Sequence, residues 1–175
     1  MSTLFINACI RPESRTLKLA KELLSKLEKE TGAPAEVLNL EDENLRPLSN
    51  TDIAKRDKAA ASGDFSDSLF RHAKQFAEAD IIVMAAPYWD LSFPALVKLY
   101  FEAITVCGIT FRYTPEGYPQ GLCKAKKFYY VTTSGGFIGD LDFGFQYAKA
   151  LTTKLYGIPD VECIRKEGLD IVAAK

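Results

Sequence analysis

Hydrophobic positions along the chain follow two alternating patterns. Leu4-Phe5-Ile6-Asn7-Ala8, Val37-Leu38-Asn39-Leu40, Ile81-Ile82-Val83-Met84-Ala85-Ala86 and Phe128-Tyr129-Tyr130-Val131-Thr132-Thr133 are short, β-prone runs, and each predicts a strand. The third is apolar at every position, as a parallel strand covered on both faces requires. Asp160-Val161-Glu162-Cys163-Ile164 is a weaker fifth strand, expected at an edge. Between these runs the period changes to that of a helix. Leu17, Ala20, Leu24 and Leu27 make one stripe, with Lys18, Lys21, Lys26 and Lys29 on the wet side and a stop near Thr31-Gly32. Leu69, Ala73 and Phe76 mark a second helix before Asp80. Ala95 to Ile104 forms a third after Pro94, apolar on more than one face, and Phe143 to Leu155 a fourth. Residues 41–63 read only as a long polar excursion.

Strand and helix alternation with connections of this length predicts an α/β fold, a parallel sheet with helices on both faces. Ligands of such folds bind beyond the carboxyl ends of the strands.

Composition narrows the class without choosing one. The chain has 175 residues, 47% of them hydrophobic, with no linker or repeat, so one domain over residues 1–175 is expected. With 22 Lys plus Arg against 23 Asp plus Glu, the net charge of −1 argues against nucleic-acid binding. Cys9, Cys107, Cys123 and Cys163 form no CxxC pair and the chain has 1 His, so zinc and iron-sulfur sites are not expected. Sparse cysteines and the absence of a signal-like start or a membrane-length apolar run favour a cytoplasmic protein with no membrane partner. GxxxxGK[ST], GxGxxG, GxSxG and HExxH are all missing, and His72 sits in a helix with a structural pattern.

Three strand ends carry candidate chemistry. After the first strand, Ser14 is placed to cap a helix. The hydroxyls of Ser14 and Thr16, the first-turn N–H groups and the guanidinium of Arg11 or Arg15 would together hold a phosphate. An ordinary capped helix with surface arginines fits the same residues, and Cys9 beside it reads as a packing residue. After the third strand, Pro87-Tyr88-Trp89-Asp90-Leu91-Ser92-Phe93-Pro94 brackets two aromatics with prolines, suiting a flat heteroaromatic ligand or simple packing under the next helix. After the fourth, Thr133-Ser134-Gly135-Gly136 offers bare main chain to a ligand or merely turns.

At these residues the chain resembles the FMN-dependent NAD(P)H oxidoreductases of flavodoxin-like fold, the group of NAD(P)H:quinone dehydrogenases and FMN-dependent azoreductases. The resemblance runs from the first strand to Gly157-Ile158-Pro159-Asp160 and is most specific over Ala86 to Lys98 and Gly108-Ile109-Thr110-Phe111-Arg112-Tyr113, which is similar to the family's G-x-T-F pattern. It implies a three-layer sandwich with strand order 2-1-3-4-5. It also implies a bound FMN whose phosphate lies at Ser14, Arg15 and Thr16, whose ring is lined by Tyr88, Trp89, Asp90 and Leu91, and whose pyrimidine edge meets Gly135 and Gly136. The family's chemistry is flavin-centred and needs no side-chain nucleophile. NAD(P)H is then a transient co-substrate in a ping-pong cycle, the electron acceptor is a small molecule such as a quinone, azo or nitro compound, and a homodimer packs through the helix after Pro94. Two departures stand out: Asp90 where many azoreductases carry Asn, and a chain shorter than theirs. A flavodoxin-type electron carrier without its own substrate, or a flavin-free regulatory protein of the same fold, are the competing readings.

Overall fold

The computed structural model describes residues 1–172. In chain order the elements are β1 (Thr3–Asn7), α1 (Arg15–Thr31), β2 (Glu36–Asn39), α2 (Asn50–Ser62), α3 (Arg71–Glu78), β3 (Ile81–Ala85), α4 (Ala95–Ile104), β4 (Phe111–Tyr113), β5 (Pro119–Gly121), β6 (Lys127–Thr133), α5 (Phe143–Lys154), β7 (Asp160–Lys166) and α6 (Leu169–Val172). Five strands form one parallel sheet in the order β2-β1-β3-β6-β7, and β4-β5 is a separate hairpin. Counting only the sheet's own strands, the order is the expected 2-1-3-4-5.

The register sorts the side chains by the period-two rule of a strand. Ile6, Met84 and Tyr130 lie in one row of neighbours, and Phe5, Val83 and Tyr129 in the next. The first set points into a large core with Phe76 of α3, Tyr100 and Phe101 of α4 and Ala148 of α5. The second packs against Leu19, Ala20 and Leu27 of α1. Central β3 is buried at Ile82, Val83, Met84 and Ala85, which explains its uninterrupted apolar sequence.

The helix signals act where the sequence placed them. Ser14 caps α1 by accepting from the Leu17 N–H at 3.2 Å, and Gly32 closes it in the left-handed region at φ 75°. In α4, Val97, Tyr100, Phe101 and Ile104 face inward, while Leu96, Leu99 and Ala103 stay half-exposed beside an exposed Lys98–Glu102 ion pair.

Three parts of the fold lie outside the sequence reading: the short α6, α2 and the β4-β5 hairpin. The polar excursion of residues 41–63 contains α2, opened by a reciprocal Ser49–Asp52 capping box and closed by Gly63. Only Asp52 and Ala59 of α2 are buried, so it has no apolar stripe. It is held instead by Arg56, whose guanidinium donates to the carbonyls of Glu102, Ala103 and Thr105 at 2.8, 2.9 and 3.2 Å and so caps the end of α4. The β4-β5 hairpin was also not expected. Its lead-in is the Gly108-Ile109-Thr110-Phe111 motif, whose role is architectural. Gly108 has φ 93°, and a Cβ there would stand 2.6 Å from the Phe65 ring. Thr110 is fully buried, donating to the Ile104 carbonyl at 2.8 Å and accepting from the Val106 N–H at 3.1 Å.

Candidate functional site

Because β1, β3 and β6 are neighbours and run the same way, the loops leaving their carboxyl ends share one edge of the sheet. The ladder continues into these loops. Ala8 N–H donates to Ala85, Ala86 to Val131, Tyr88 to Thr133 and Ser134 to Lys166, at 2.9 to 3.2 Å. Each loop is therefore fixed to its neighbour before any ligand arrives.

The first wall is the start of α1. Ser14's hydroxyl is used as an acceptor by Leu17 and keeps its own hydrogen to donate. No hydrogen bond to the first-turn N–H groups of Arg15 and Thr16 is present among the described residues, and they carry the positive end of the helix. Thr16 is almost wholly buried, and its hydroxyl pairs with that of Thr133 at 2.7 Å, tying α1 to the end of β6. Whichever hydroxyl donates, the other retains a hydrogen for a third group. Arg15 pairs with Asp170 of α6 at 2.7 Å. Burial raises the Cys9 thiol pKa, and its Sγ donates to the Ala85 carbonyl at 3.8 Å, which suits a packing residue better than a redox thiol.

The second wall follows β3. Trp89 and Ser92 exchange backbone hydrogen bonds, with Asp90 and Leu91 between them at φ 50° and 64°. Two successive positive-φ residues closed by such a pair have the pattern of a type I′ turn, adopted here without glycine. Leu91 in that region is costly, and strain of this kind persists where surrounding contacts over-determine it. Those contacts are present: the Phe143 N–H donates to the Leu91 carbonyl at 3.2 Å, and the Tyr88 hydroxyl donates to Leu141 at 3.0 Å. Trp89, Leu91, Leu141 and Phe143 are all at least a third exposed, which leaves an apolar shelf on the rim.

The third wall is the loop after β6. Ser134 donates to the Gly136 carbonyl at 2.5 Å, and the Glu167 carboxylate accepts from the Ile138 and Gly139 N–H groups at 2.7 and 3.3 Å. The hydrogen bond from Ile138 lowers the Glu167 pKa, so the tether is ionised at neutral pH. A Cβ at Gly135 would lie 1.9 Å from Asp170 Oδ2, so any side chain there would displace the Asp170 carboxylate.

These walls enclose one cavity of about 230 Å³. Arg11 and Ser14 from the β1 loop and Arg15 and Thr16 from the start of α1 line it, with Pro87, Tyr88 and Trp89 from the β3 loop, Thr133 from the end of β6 and Ser134 and Gly135 from the loop after it. Asp90, Leu91 and Gly136 lie on the same loops but not in the cavity wall. Ile10, Glu13 and Asp170 line it as well and were not singled out from sequence; Ile10 and Glu13 adjoin the arginines that were, but Asp170 gives no local signal. Among the described residues no group of three His, Cys, Asp or Glu could hold a metal ion, and no helix is long and apolar enough to cross a membrane.

Comparison with known proteins agrees with this architecture. The family model described as flavodoxin-like fold matches residues 1–175. An FMN-dependent NADH:quinone oxidoreductase of Lachnoclostridium phytofermentans is 36% identical over 182 residues, covering 98% of this chain and 88% of that protein. A protein of the same name from Clostridium perfringens is 34% identical over 174 residues, covering 97% and 87%. Among solved structures, an azoreductase from Bacillus anthracis superposes with a TM-score of 0.86 at 26% identity, covering 100% of this chain and 91% of its own. The chain thus belongs to the flavodoxin-like fold family.

Proposed function

We propose that this chain is an FMN-dependent NAD(P)H oxidoreductase acting on quinones or related azo and nitro compounds. The observation that carries this reading is the convergence of a capped helix N-terminus with two arginines, a Tyr88–Trp89 wall and the Gly135 loop on a single cavity. The similar proteins from Lachnoclostridium and Clostridium, whose names specify FMN, NADH and quinone, support it.

The residues present fit FMN. A phosphate monoester at Ser14 would receive the Ser14 hydroxyl, the free first-turn N–H groups and an Arg15 or Arg11 guanidinium, a donor set suited to a dianion. At about 230 Å³ the enclosed cavity suits the phosphate and polyol tail, below the roughly 300–1,000 Å³ of sites that swallow a whole drug-sized ligand. A flat ring attached to that tail would extend beneath the Trp89 and Leu91 rim with one face open. The chemistry supplied by bound FMN is two-electron hydride transfer in ping-pong order, from NAD(P)H and then to the acceptor. The chain's own contribution is positioning. The Trp89–Ser92 turn offers main-chain N–H groups at Asp90 and Leu91, from which no hydrogen bond is present among the described residues, while the Tyr88 bond to Leu141 ties the β3 loop to the β6 loop and Glu167 fixes the β6 loop to the end of β7. The apolar shelf favours flat, uncharged acceptors.

We extend the proposal to a cytoplasmic homodimer through α4. Half-exposed Leu96, Leu99 and Ala103 support an interface on that helix, and four free cysteines with burial-raised thiols at Cys9, Cys123 and Cys163 support a reducing compartment. Incubation with excess FMN followed by desalting tests the cofactor: retained visible absorbance supports the reading, and a colourless protein defeats it. Consumption of NADH or NADPH with benzoquinone then separates an enzyme from an electron carrier.

A further inference from the structure

Asp170 is a cavity residue whose role the flavin reading leaves open. Its Oδ1 lies 2.7 Å from Arg15 Nη1, and its Oδ2 rests against Gly135 where a side chain would otherwise stand. The backbone that carries the carboxylate is fastened in place. The N–H groups of Gly168, Leu169 and Asp170 donate to the carbonyls of Gly136, Ser134 and Gly135 at 2.9, 3.2 and 3.0 Å, fastening the start of α6 to the loop after β6. The cavity therefore contains its own anion. Arg11 and Arg15 are balanced there by Glu13 and Asp170, so the cradle is close to neutral apart from the helix end.

The pair is also exchangeable. Its side chains are 49% and 70% exposed, a setting in which an ion pair contributes only up to about 1 kcal/mol, whereas an arginine meeting a phosphate dianion gains two parallel charged hydrogen bonds. We propose that Asp170 is an internal competitor for the phosphate subsite: it holds Arg15 in the free protein and yields it when a phosphate monoester binds. The apparent affinity for any phosphorylated ligand is then reduced by the fraction of molecules in which Arg15 is engaged with Asp170. A ligand without phosphate does not feel the competition. Asp170 thereby sets how strongly the site discriminates between a flavin phosphate and its unphosphorylated parent. This rests on the flavin reading only for the identity of the ester, since the competition concerns phosphate itself.

The test is Asp170→Asn, which keeps size and a hydrogen-bonding oxygen but removes the charge. Calorimetric titration of wild type and variant with inorganic phosphate, FMN and riboflavin separates the outcomes. Phosphate and FMN should bind the variant about threefold to fivefold more tightly, the yield of one exposed ion pair, with riboflavin unchanged. The gain should vanish when Asp170→Asn is made in an Arg15→Ala background. Phosphate affinity that is unchanged or weaker in the variant, or no phosphate binding by either protein, overturns the proposal. So does weaker binding of FMN and riboflavin together, which would make Asp170 a prop for the Gly135 loop. If FMN does not bind the wild type but phosphate does, the flavin reading fails while the phosphate titration still decides the role of Asp170.

Discussion

Ser14 performs two tasks with one hydroxyl, and a pair of substitutions separates them. Its oxygen accepts from the Leu17 N–H at 3.2 Å, and its hydrogen is free for a phosphate. Ser14→Ala removes both. A hydrogen bond to a charged group is worth about 1.5–3 kcal/mol, so FMN affinity should fall roughly 10- to 150-fold. Loss of the cap should cost about 1 kcal/mol of stability, a drop of about 2–4 °C in Tm for a domain of this size. Ser14→Gly removes the same hydroxyl but costs the helix only a few tenths of a kcal/mol, because glycine itself is tolerated at a cap. The two variants should therefore share the affinity loss and differ in thermal midpoint. Fluorescence titration with FMN gives the affinity, and riboflavin, lacking the phosphate, is the control that should not change. FMN binding that stays within about twofold of wild type in both variants, well short of one charged hydrogen bond, would refute the placement of the phosphate at Ser14. The hydroxyl of Thr16 is a poorer probe, since its removal leaves the Thr133 hydroxyl buried without its partner.

Other expectations concern the scaffold. A charge at half-exposed Leu99, as Leu99→Asp, should convert the dimer to monomers in sedimentation, whereas a wild-type monomer would remove the α4 interface. Arg56→Met should lower stability by about 2–3 kcal/mol in denaturant melts by uncapping α4, with FMN affinity unchanged, and a stability within error of wild type would contradict that role. Stability should fall on acidification in two stages. Burial lowers the His72 pKa below its ordinary 6.5, with Arg71 adding to the effect and Glu43 opposing it. The Arg46 guanidinium and Ser49 hold the Asp52 carboxyl well below its ordinary 3.8. In each case the unfolded chain binds the proton more readily, so unfolding becomes easier as pH drops below 6.5 and again below 3.8. His72→Gln should flatten the first stage and Asp52→Asn the second, as read from melts across pH; parallel wild-type and variant profiles would refute the assignment.

What the sequence made legible followed from burial. β3 is covered on both faces and reads as a continuous apolar run, and α1 buries one stripe and reads as an amphipathic helix. The strand ends were legible because local chemistry, a serine cap, paired prolines and paired glycines, carries its own signal. The type I′ turn at Asp90 and Leu91 was not, since neither residue is glycine and the neighbouring prolines offered a sufficient account of rigidity. α2 escaped because a helix held by a capping box and an arginine leaves no apolar period. Gly108 and Thr110 carried the family resemblance and proved to organise the hairpin rather than the cavity. Asp170 lies 155 residues from Arg15, and a long-range pair of that kind leaves no trace in any local window.

The most direct measurement is the visible spectrum of the FMN-loaded protein under anaerobic conditions, with NADH or NADPH added first and benzoquinone second. The expected result is bleaching of the flavin band by the nicotinamide and its return with the quinone, both lost in Ser14→Ala at limiting FMN. A protein that takes up no FMN, or takes it up and is bleached only by a chemical reductant, would contradict the proposed oxidoreductase.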